Sequence, residues 1–298
     1  MDVFHGFADA HATFDKAKYV IFYLPYDKTS THRKGAKNGP VEICKESWNF
    51  ESWDLKREID LGSIDIHDMG FLDVSNRTSP KQMVNEVYET VRKIVKADKF
   101  PVLLGGEHTG SVGAIWALSE LVGDFGVVCF DAHLDYRNDY VGEKFSHACV
   151  LRRAAEKIGS DRVVSIGIRS ASEDEFNDAK SDGTRYFTSW DVREKGIIEI
   201  VENALDILSV NKIYLSFDMD GIDPAYAPGV STPEPFGLTP HDGLTLIEVL
   251  APYLIGFDLM EVCPNWDKAY TPCLGARFVR EVIMLSHKHL KGHKLHRK

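Results

Sequence analysis

The sequence predicts an α/β fold with three layers, α/β/α, in which helices cover both faces of a doubly wound, mainly parallel sheet. Short runs of apolar, often β-branched residues alternate along the chain with longer segments whose apolar residues follow a helical spacing. The short runs lack the polar alternation of a half-exposed strand, so both of their faces are expected to be buried. No internal repeat and no long linker interrupts the pattern, and residues 1–298 are expected to form a single domain.

The predicted elements follow one another in a regular order. The predicted strands are residues 19–24, 100–104, 125–130, 163–168, 213–217 and 254–259. The predicted helices are residues 81–95, 111–121, 148–158, 197–208, 240–250 and 275–285. Thr239 has the position of an N-cap, because Pro240 follows it and Asp242 lies in the first turn. Residues 25–60 are rich in charge and tryptophan and are expected to form loops near a rim of the sheet.

Composition narrows the classes of function. The chain has 35 lysine and arginine residues against 45 aspartate and glutamate residues, a net charge of −10. An acidic surface repels phosphate backbones, so nucleic acid is not an expected partner and small cationic ligands are favoured. No apolar run approaches the roughly 20 residues that span a bilayer, and the first 20 residues lack the features of a signal peptide. No membrane partner is therefore expected, and the cytoplasm is the predicted location. The five cysteines are scattered and are expected to be reduced thiols, most of them buried.

Polar residues that can bind metal ions follow four of the predicted strands, at the point where each strand ends. They are His108, then Asp131, His133 and Asp135, then Asp218 and Asp220, and finally Glu261. Open α/β sheets bind ligands at the carboxyl ends of their strands, so these side chains are expected to converge on one crevice. Alternate residues of an extended segment point the same way, which would bring the polar residues of the Asp-Ala-His-Leu-Asp run together. The alternative interpretation is that these are ordinary turn residues, but their presence at several strand ends argues against it.

The same residues predict two metal ions. Several carboxylates within about 3–5 Å of one another cannot all stay ionised without a cation. Two divalent ions would match the charge of the four aspartates, and His108 and His133 would give each ion one nitrogen. A ligand set rich in oxygen favours Mn²⁺ over Zn²⁺, which prefers cysteine and histidine. Two metal ions about 3.5–4 Å apart can share a water molecule and lower its pKa, so the pattern predicts a hydrolase with two Mn²⁺ per subunit.

The chain resembles the ureohydrolase family of arginases, agmatinases and formiminoglutamases over residues 19–285. Three motifs carry the resemblance: GGEH at residues 105–108, DAHLD at residues 131–135, and SFDMDGIDPAYAPGVSTPEPFG at residues 216–237. The resemblance implies the three-layer fold, a site with two Mn²⁺ ions, and a homotrimer or homohexamer. It also implies six metal ligands: His108, Asp131, Asp135 and Asp220, completed by His133 and Asp218.

Two further residues match the family's active site. His147, in the loop after DAHLD, matches a histidine that can exchange protons near pH 7, although it could also be a surface-loop histidine. Glu261 matches a glutamate that faces the substrate, and a carboxylate can form paired hydrogen bonds with a planar guanidinium. Asp258 is assigned a supporting role. In the expected mechanism a hydroxide attacks the guanidinium carbon, Asp135 passes its proton to the leaving amine, Glu261 holds the guanidinium, and His147 exchanges protons with bulk water.

The loop after DAHLD favours agmatine over arginine as the substrate. Arginases carry an asparagine soon after that motif, a Ser-x-Asn-x-His run, and an aspartate pair after the next strand. Here Asn138 is present, but Lys-Phe-Ser precedes His147 and no aspartate follows residue 168 until Asp174. The segment GEKFSHACVLRR resembles the loop of agmatinases, especially those of the archaeal type.

Agmatine also suits the expected acidic mouth, because it is a dication without a carboxylate. Asp139, Glu143 or Glu173 could receive its distal ammonium, and its hydrolysis would supply putrescine for polyamine biosynthesis. Arginine, aminopropylagmatine and guanidinobutyrate are alternative substrates, although the last is anionic. The segment Glu261-Val-Cys263-Pro-Asn-Trp266-Asp267 departs from the Ser-Pro-Pro-Tyr-Asp that usually follows Glu-Val in agmatinases, which leaves the pocket shape open.

Three other classes of protein are alternatives. A deacetylase-like hydrolase would keep one transition-metal ion and fewer carboxylates, and a non-catalytic metal-binding relative would lack some ligands. A metal-storage protein would need neither Glu261 nor His147. The intact set of six ligands argues against the first two. The tail from His287 carries further histidines and lysines and is expected to be a solvated helix end, with a metal-binding tail as the alternative.

Overall fold

Eight parallel strands form the middle layer of the structure, a computed structural model that describes residues 5–75, 77–267 and 269–290. The strands are β1 (Tyr19–Tyr23), β4 (Ile66–Phe71), β5 (Phe100–Leu104), β6 (Gly126–Phe130), β7 (Val163–Ile168), β8 (Arg185–Thr188), β9 (Ile213–Asp218) and β10 (Leu254–Met260). Two short strands, β2 (Trp53–Asp54) and β3 (Ile59–Asp60), form a separate antiparallel pair. The large sheet has the order β4-β1-β5-β10-β9-β6-β7-β8, and all its pairs are parallel.

Helices connect these strands and cover both faces of the sheet. They are α1 (Gly39–Ser47), α2 (Pro80–Lys96), α3 (Gly110–Leu121), α4 (Val150–Ile158), α5 (Glu173–Asp182), α6 (Ser189–Lys195), α7 (Ile197–Leu208), α8 (Pro240–Leu250) and α9 (Tyr270–Leu290). Short 3₁₀ turns at His147–Cys149 and Met219–Gly221 lie at the carboxyl edge of the sheet.

Two apolar cores lie between the layers. One contains residues of α1 and α6 to α9, and the other contains residues of α2 to α5. Along β1 the side chains alternate between them, with Tyr19 and Ile21 in the first core and Val20 and Phe22 in the second. This alternation follows from the pleat of a strand and explains why the strand is apolar at every position. The predicted three-layer, doubly wound fold is confirmed, with a large sheet that is parallel throughout.

The six predicted strands agree with the structure to within one residue at each end. Four predicted helices begin and end within two residues of the observed bounds of α2, α3, α4 and α7, and α8 agrees at both ends. The last helix begins earlier than predicted, because the Asp267 carboxylate accepts hydrogen bonds from the backbone N–H groups of Tyr270 and Thr271 and so caps it. Asp242 and Thr239 form the predicted cap of α8 as a full capping box.

Other elements were not predicted. Residues 25–60 are not loops throughout, because they contain α1 and the β2–β3 pair. The edge strands β4 and β8 were missed because they are polar and half-exposed, and α5 and α6 because few of their residues are buried. The five cysteines are free thiols and four are buried, as predicted. Within the described ranges no helix has the length and apolar character to cross a membrane.

The prediction for the C-terminal tail is only partly covered by the structure. Helix α9 runs to Leu290, and His289 is exposed at its end. His293 and His296 lie outside the described residues.

Candidate metal centre

The candidate side chains converge at the carboxyl ends of four neighbouring strands, β5, β10, β9 and β6. A turn follows each strand directly and carries its polar residues. These are His108 after β5, Asp131, His133 and Asp135 after β6, Asp218 and Asp220 at the end of β9, and Glu261 after β10. The crevice expected at the carboxyl ends of a parallel sheet is present.

One group of side chains, called here the His108 cluster, consists of His108, Asp131, Asp135 and Asp218. The Nδ1 atom of the imidazole lies 3.2 Å from Asp131 Oδ2, 3.2 Å from Asp135 Oδ2 and 3.1 Å from Asp218 Oδ2. None of the four residues is more than 7% exposed. Three carboxylates therefore meet around one ring nitrogen in a region without bulk water.

A second group, the His133 cluster, consists of His133, Asp131 and Asp220. The Nδ1 atom of His133 lies 3.0 Å from Asp220 Oδ2 and 3.7 Å from Asp131 Oδ1. The two oxygens of Asp131 thus face different histidines. Asp131 belongs to both clusters and joins them.

Backbone hydrogen bonds fix the orientation of these carboxylates. The His133 N–H donates to Asp131 Oδ1 at 2.7 Å, the Asp220 N–H to Asp218 Oδ1 at 2.8 Å, and the Ala132 N–H to Asp220 Oδ1 at 3.1 Å. Such bonds hold a ligand in place before a metal ion binds, because the carboxylate cannot rotate freely.

The DAHLD run does not adopt the extended conformation that its alternating pattern suggested. Asp135 has a φ of 48°, in the left-handed region that is uncommon for residues other than glycine, and Glu261 has a φ of 64°. The turns, rather than a continued strand, bring the polar residues to the crevice. Left-handed backbone at non-glycine residues is a feature of functional sites.

Burial and mutual repulsion shift the pKa values of the clustered carboxyls. Burial, followed by the charges of Asp220 and Asp131, raises the pKa of Asp218 far above its ordinary range. Burial and the charge of Asp131 likewise raise the pKa of Asp135 to about 7. Burial would also raise the pKa of Asp131, but hydrogen bonds with His108 and His133 lower it below the ordinary range. Without a cation, this site resists full ionisation.

The donor set fits divalent metal ions. The His108 Nδ1 atom is buried and makes no hydrogen bond of good geometry, although three carboxylates surround it. Ligand atoms of Asp131, His133 and Asp220 lie within 4.8 Å of one another, as do those of His108, Cys129 and Asp131. An unpaired buried nitrogen among carboxylates is the arrangement expected of a metal site.

Cys129 lies beside the His108 cluster and was not assigned to the site from sequence. Its Sγ atom lies 3.6 Å from Asp131 Oδ2, and the residue is fully buried. The sequence holds a signal for this position, because Cys129 precedes Asp131 by two residues and alternate residues of a strand share a face.

A buried relay of hydrogen bonds orients His108 from its other nitrogen. His108 Nε2 lies 2.9 Å from Ser216 Oγ, which lies 2.8 Å from Asp258 Oδ1. The Tyr214 hydroxyl donates to the other oxygen of Asp258 at 2.5 Å. The acceptor-only carboxylate takes the Ser216 hydrogen, so His108 donates from Nε2 and presents Nδ1 as a lone pair. Asp258 thus has the position that its predicted supporting role requires.

Glu261 lines the cavity beside these clusters and keeps one acceptor unused. Its Oε1 atom accepts the backbone N–H of His108 at 2.8 Å, whereas its Oε2 atom is buried without a hydrogen-bond partner. Burial raises the pKa of Glu261 to about 8, although the nearby Ser231 side chain and the His108 N–H lower it. A cationic donor placed here would satisfy the oxygen and lower this pKa.

His147 lines the same cavity and is held by residues from another loop. The Thr29 Oγ1 atom accepts the His147 backbone N–H at 3.0 Å and lies 3.2 Å from the ring Nδ1. Burial, followed by the nearby His133 and His108, lowers the pKa of His147 to about 4. The imidazole is therefore neutral at pH 7, rather than titrating near that pH as expected from sequence.

The cavity has a volume of about 380 Å³, a size typical of small-molecule sites. It is lined by residues of the two clusters, by Glu261 and His147, and by Arg137, Tyr140, Ser170–Ser172 and Glu175. The metal-ligand clusters and the oppositely charged Arg137 and Glu175 therefore border one cavity.

The mouth of the cavity differs from the acidic mouth predicted. Asp139 and Glu173 are exposed and Glu143 is half-buried, and none of the three lines this cavity. Apart from the cluster residues and Glu261, the acidic residue that lines the cavity is Glu175, which was not predicted, and Arg137 Nε lies 3.6 Å from its Oε2 atom. The mouth therefore carries both signs of charge.

Asn138 does not line the cavity either. Its Oδ1 atom accepts a hydrogen bond from Arg153 at 3.2 Å. An arginase-like contact from Asn138 is therefore not formed.

Comparisons with known proteins identify the family of this chain. The family model described as Arginase family matches residues 17–285. Agmatinase from Bacillus cereus is 33% identical over 282 residues, which covers 93% of this chain and 95% of the relative. N(1)-aminopropylagmatine ureohydrolase from Thermococcus kodakarensis is 33% identical and covers 83% of each chain. The crystal structure of agmatine ureohydrolase of Thermoplasma volcanium has a TM-score of 0.92 at 39% identity, over 99% of this chain and 98% of the other.

The chain belongs to the arginase family. The sequence left open whether the segment after Glu261 changes the shape of the pocket, and in the structure Cys263 and Trp266 contact residues outside the cavity. Cys263 Sγ donates to the Lys34 carbonyl at 3.3 Å, and the Trp266 ring lies 4.6 Å from the Arg33 guanidinium. Neither Cys263 nor Trp266 lines the cavity. These residues support the loop that follows β1.

Proposed function

We propose that this chain is a ureohydrolase that hydrolyses agmatine to putrescine and urea. One observation carries the proposal: Glu261 keeps a buried, unpaired acceptor oxygen in a cavity that also contains two clusters of metal-ligand type. A guanidinium is a planar cation with paired N–H donors and is suited to that oxygen. The similarity to agmatinases over more than nine-tenths of both chains supports agmatine as the substrate.

We propose that the six predicted ligands hold two Mn²⁺ ions, one at each cluster. Asp131 lies between the clusters and would contact both ions. Oxygen-rich ligands favour Mn²⁺. When bound, the ions would compensate the charge of the carboxylates and supply hydroxide at neutral pH by lowering the pKa of water.

The residues of the chain then have separate roles in the reaction. Glu261 orients the guanidinium by hydrogen bonding and by charge. Addition of water to the guanidinium carbon releases a proton, which Asp135 accepts and transfers to the leaving amine as the C–N bond breaks. Two observations support this role for Asp135: it lines the cavity, and it belongs to the His108 cluster. The neutral imidazole of His147 exchanges protons with solvent at the cavity wall.

Glu175 is proposed to bind the distal ammonium of agmatine. It lines the cavity without belonging to either metal-ligand cluster, and its carboxylate is held in place by the Tyr136 N–H at 2.8 Å and the Ser172 N–H at 3.2 Å. A fixed anion of this kind binds a cation without a large ordering cost. The longer amine tail of aminopropylagmatine could use the same contact.

Arg137 favours a second candidate substrate. It lines the same cavity as Glu175, with its guanidinium 5.0 Å from the Tyr140 ring centre. An anionic tail, as in guanidinobutyrate, would pair with this cation. The ammonium of agmatine would therefore contact Glu175, whereas the carboxylate of guanidinobutyrate would contact Arg137.

Urea release from a panel of guanidines tests the proposal. The purified chain with Mn²⁺ is assayed with agmatine, arginine, guanidinobutyrate and aminopropylagmatine, and kcat/KM is expected to be highest for agmatine. Asp131→Ala is the control and is expected to lose metal and activity together. A maximum for guanidinobutyrate would reassign the tail contact to Arg137.

Two outcomes would reject the assignment of a ureohydrolase. One is the absence of urea with every substrate, which would favour a non-catalytic metal-binding relative. The other is full activity and full metal content in Asp131→Ala. A ratio near one Zn²⁺ per chain would favour a hydrolase of the one-metal type.

A further inference from the structure

Glu107 is a buried carboxylate beside the site that no step of the proposed reaction uses. It is fully buried in the turn between β5 and α3 and accepts four hydrogen bonds. Its Oε2 atom accepts the backbone N–H groups of Thr29 at 2.6 Å and Ser30 at 3.1 Å. Its Oε1 atom accepts the hydroxyls of Thr29 at 2.8 Å and Thr109 at 2.9 Å. Four donors surround the group, so it acts only as an acceptor.

The contact with Thr29 determines where the single hydroxyl hydrogen of that residue lies. A carboxylate that only accepts must receive this hydrogen, because two oxygens 2.8 Å apart without one between them would repel. The Thr29 oxygen can then only accept from other partners. Thr109, 3.5 Å away, gives its own hydrogen to Glu107 and does not change this assignment.

The remaining partners of the Thr29 hydroxyl oxygen belong to His147. That oxygen accepts the His147 backbone N–H at 3.0 Å and lies 3.2 Å from the ring Nδ1. Since the oxygen has no hydrogen left to donate, a hydrogen bond between it and Nδ1 requires the proton on Nδ1. Ser146 Oγ, 3.3 Å from Nδ1, is compatible with this because a hydroxyl oxygen can also accept.

We propose that Glu107 is a positioning residue that acts through Thr29 to fix the tautomer of His147. The tautomer with hydrogen on Nδ1 leaves Nε2 as the basic nitrogen, and the bond from the His147 backbone holds the ring against the cavity. The inference rests on the proposed function only for the role it gives to His147. It assigns the acidic residue of the GGEH motif a task distinct from metal binding.

The topology makes this coupling short. Thr29 follows β1 and Glu107 follows β5, and these strands pair directly in the sheet. The carboxylate thus joins two neighbouring strand ends, and the loop that it fixes reaches His147, which is far away in sequence.

The tautomer is measured directly by ¹⁵N NMR. The full-length chain is labelled at histidine nitrogens and loaded with Zn²⁺, which is diamagnetic, and the His147→Asn variant identifies the resonances of His147. Wild type is expected to show a protonated Nδ1 and an unprotonated Nε2. Thr29→Val removes the hydroxyl at nearly constant volume and is expected to populate the other tautomer, whereas Thr29→Ser is expected to restore the wild-type pattern.

Kinetics supply a second readout. With agmatine, Thr29→Val is expected to lower kcat about tenfold while KM stays within about twofold, since a misplaced proton carrier affects the chemical step. Thr109→Val is the matched control, because it removes a hydroxyl from the same Glu107 oxygen but not from His147. It is expected to keep the tautomer and to lower kcat less than threefold.

The inference is wrong if wild-type His147 carries its hydrogen on Nε2, or if Thr29→Val changes neither the tautomer nor kcat. Glu107→Gln is expected to disturb the tautomer as well, and if that variant does not fold, Thr29→Val still decides. Failure of the proposed function can be told apart from failure of this inference. A chain that releases no urea from any guanidine can still be tested by NMR for the tautomer of His147.

Discussion

Hydrogen bonds to atoms of the metal-ligand side chains that face away from the cavity determine which atoms of those side chains face the metal-ligand clusters. His108 is held at Nε2 by Ser216, which is held by Asp258, and this leaves Nδ1 for the carboxylate cluster. The Ser111 hydroxyl, 3.2 Å from Ser216 Oγ, is a further buried partner of this relay. The metal affinity of the site should therefore depend on residues that are not ligands.

Replacement of Ser216 by alanine is expected to weaken metal binding roughly 10- to 100-fold, because His108 loses the acceptor that fixes its ring. Metal affinity is measured by competition with a chelator of known affinity. Tyr214→Phe is the control, since it removes a bond to Asp258 but keeps the contact between Ser216 and His108. Equal affinities of Ser216→Ala and wild type would contradict the relay.

His147 makes the stability of the chain depend on pH. Its pKa is lowered to about 4 in the folded chain, mainly by burial, so the unfolded chain binds a proton first as the pH falls. The stabilisation is complete above the ordinary pKa of histidine, 6.5, and is lost as the pH falls from there towards 4.

His147→Asn is therefore expected to be relatively more stable in acid than wild type. The free energy of unfolding of the variant, relative to wild type, should rise by about 2 kcal/mol between pH 7.5 and pH 5. Denaturant titrations at the two pH values measure it, with His11→Asn, at an exposed histidine, as the control. A difference that does not change with pH would argue against the lowered pKa.

Among the helices, capping boxes fix several N-termini, and one of them also serves the cavity. Thr239 and Asp242 cap α8, and Ser172 and Glu175 cap α5 in the same way. Glu175 is at once the N3 residue of a cap and a residue of the cavity wall. The same local interaction thus stabilises a polar helix and positions the proposed ammonium contact.

Thr239→Ala and Ser172→Ala are expected to cost similar stability but to differ in function. Each removes a capping hydroxyl, which lowers the free energy of unfolding by about 1 kcal/mol. Only Ser172→Ala should raise KM for agmatine severalfold, because it loosens the turn that holds Glu175. Denaturant titration and steady-state kinetics measure the pair, and an unchanged KM in Ser172→Ala would separate the cap from the tail contact.

At the scale of the whole molecule, the negative charge of buried carboxylates has to be compensated, and two groups of them differ in how this is done. The chain carries a net charge of −10, and four of its aspartates are buried together at the carboxyl edge of the sheet. Away from the site, the nearly buried Arg57 pairs with Asp54 at 2.9 Å and with Glu281 at 2.7 Å. The metal-ligand clusters contain no such arginine, so they depend on a bound cation.

Mn²⁺ is therefore expected to stabilise the whole chain, and a chelator to destabilise it. Binding to the native state alone adds about 2.7 kcal/mol per site when the free ion is at 100 times its Kd. Tm measured with and without Mn²⁺ tests this, and Asp131→Ala should lose most of the dependence because Asp131 joins both clusters. An unchanged Tm in wild type would contradict metal binding at this site.

The homotrimer or homohexamer implied by the family, and the cytoplasmic location, stay predictions. Native mass spectrometry is expected to show assemblies of three or six chains. A monomer at micromolar concentration would contradict this expectation.

The sequence by itself determined the buried strands and the polar residues at their ends. Strands such as β5 and β7 are apolar at every position because the sheet is covered on both faces, so their bounds could be predicted from composition alone. The residues of the two clusters follow those strands directly in the chain, and parallel strands place such residues at one edge. Local pattern and the rule of parallel sheets were sufficient here.

Only the tertiary structure decided what lies around that core. The edge strand β8 and the polar helix α5 carry weak local patterns, because much of their surface faces solvent. The assignment of Glu175 rather than Glu173 to the cavity, and the contact of Glu107 and Thr29 with His147, join residues distant in sequence. Such contacts depend on how loops from different strands pack together, and the local spacing of apolar and polar residues does not predict that packing. The residues of the metal-ligand clusters could thus be identified from the sequence, whereas the residues that surround the substrate's tail and hold His147 required the folded chain.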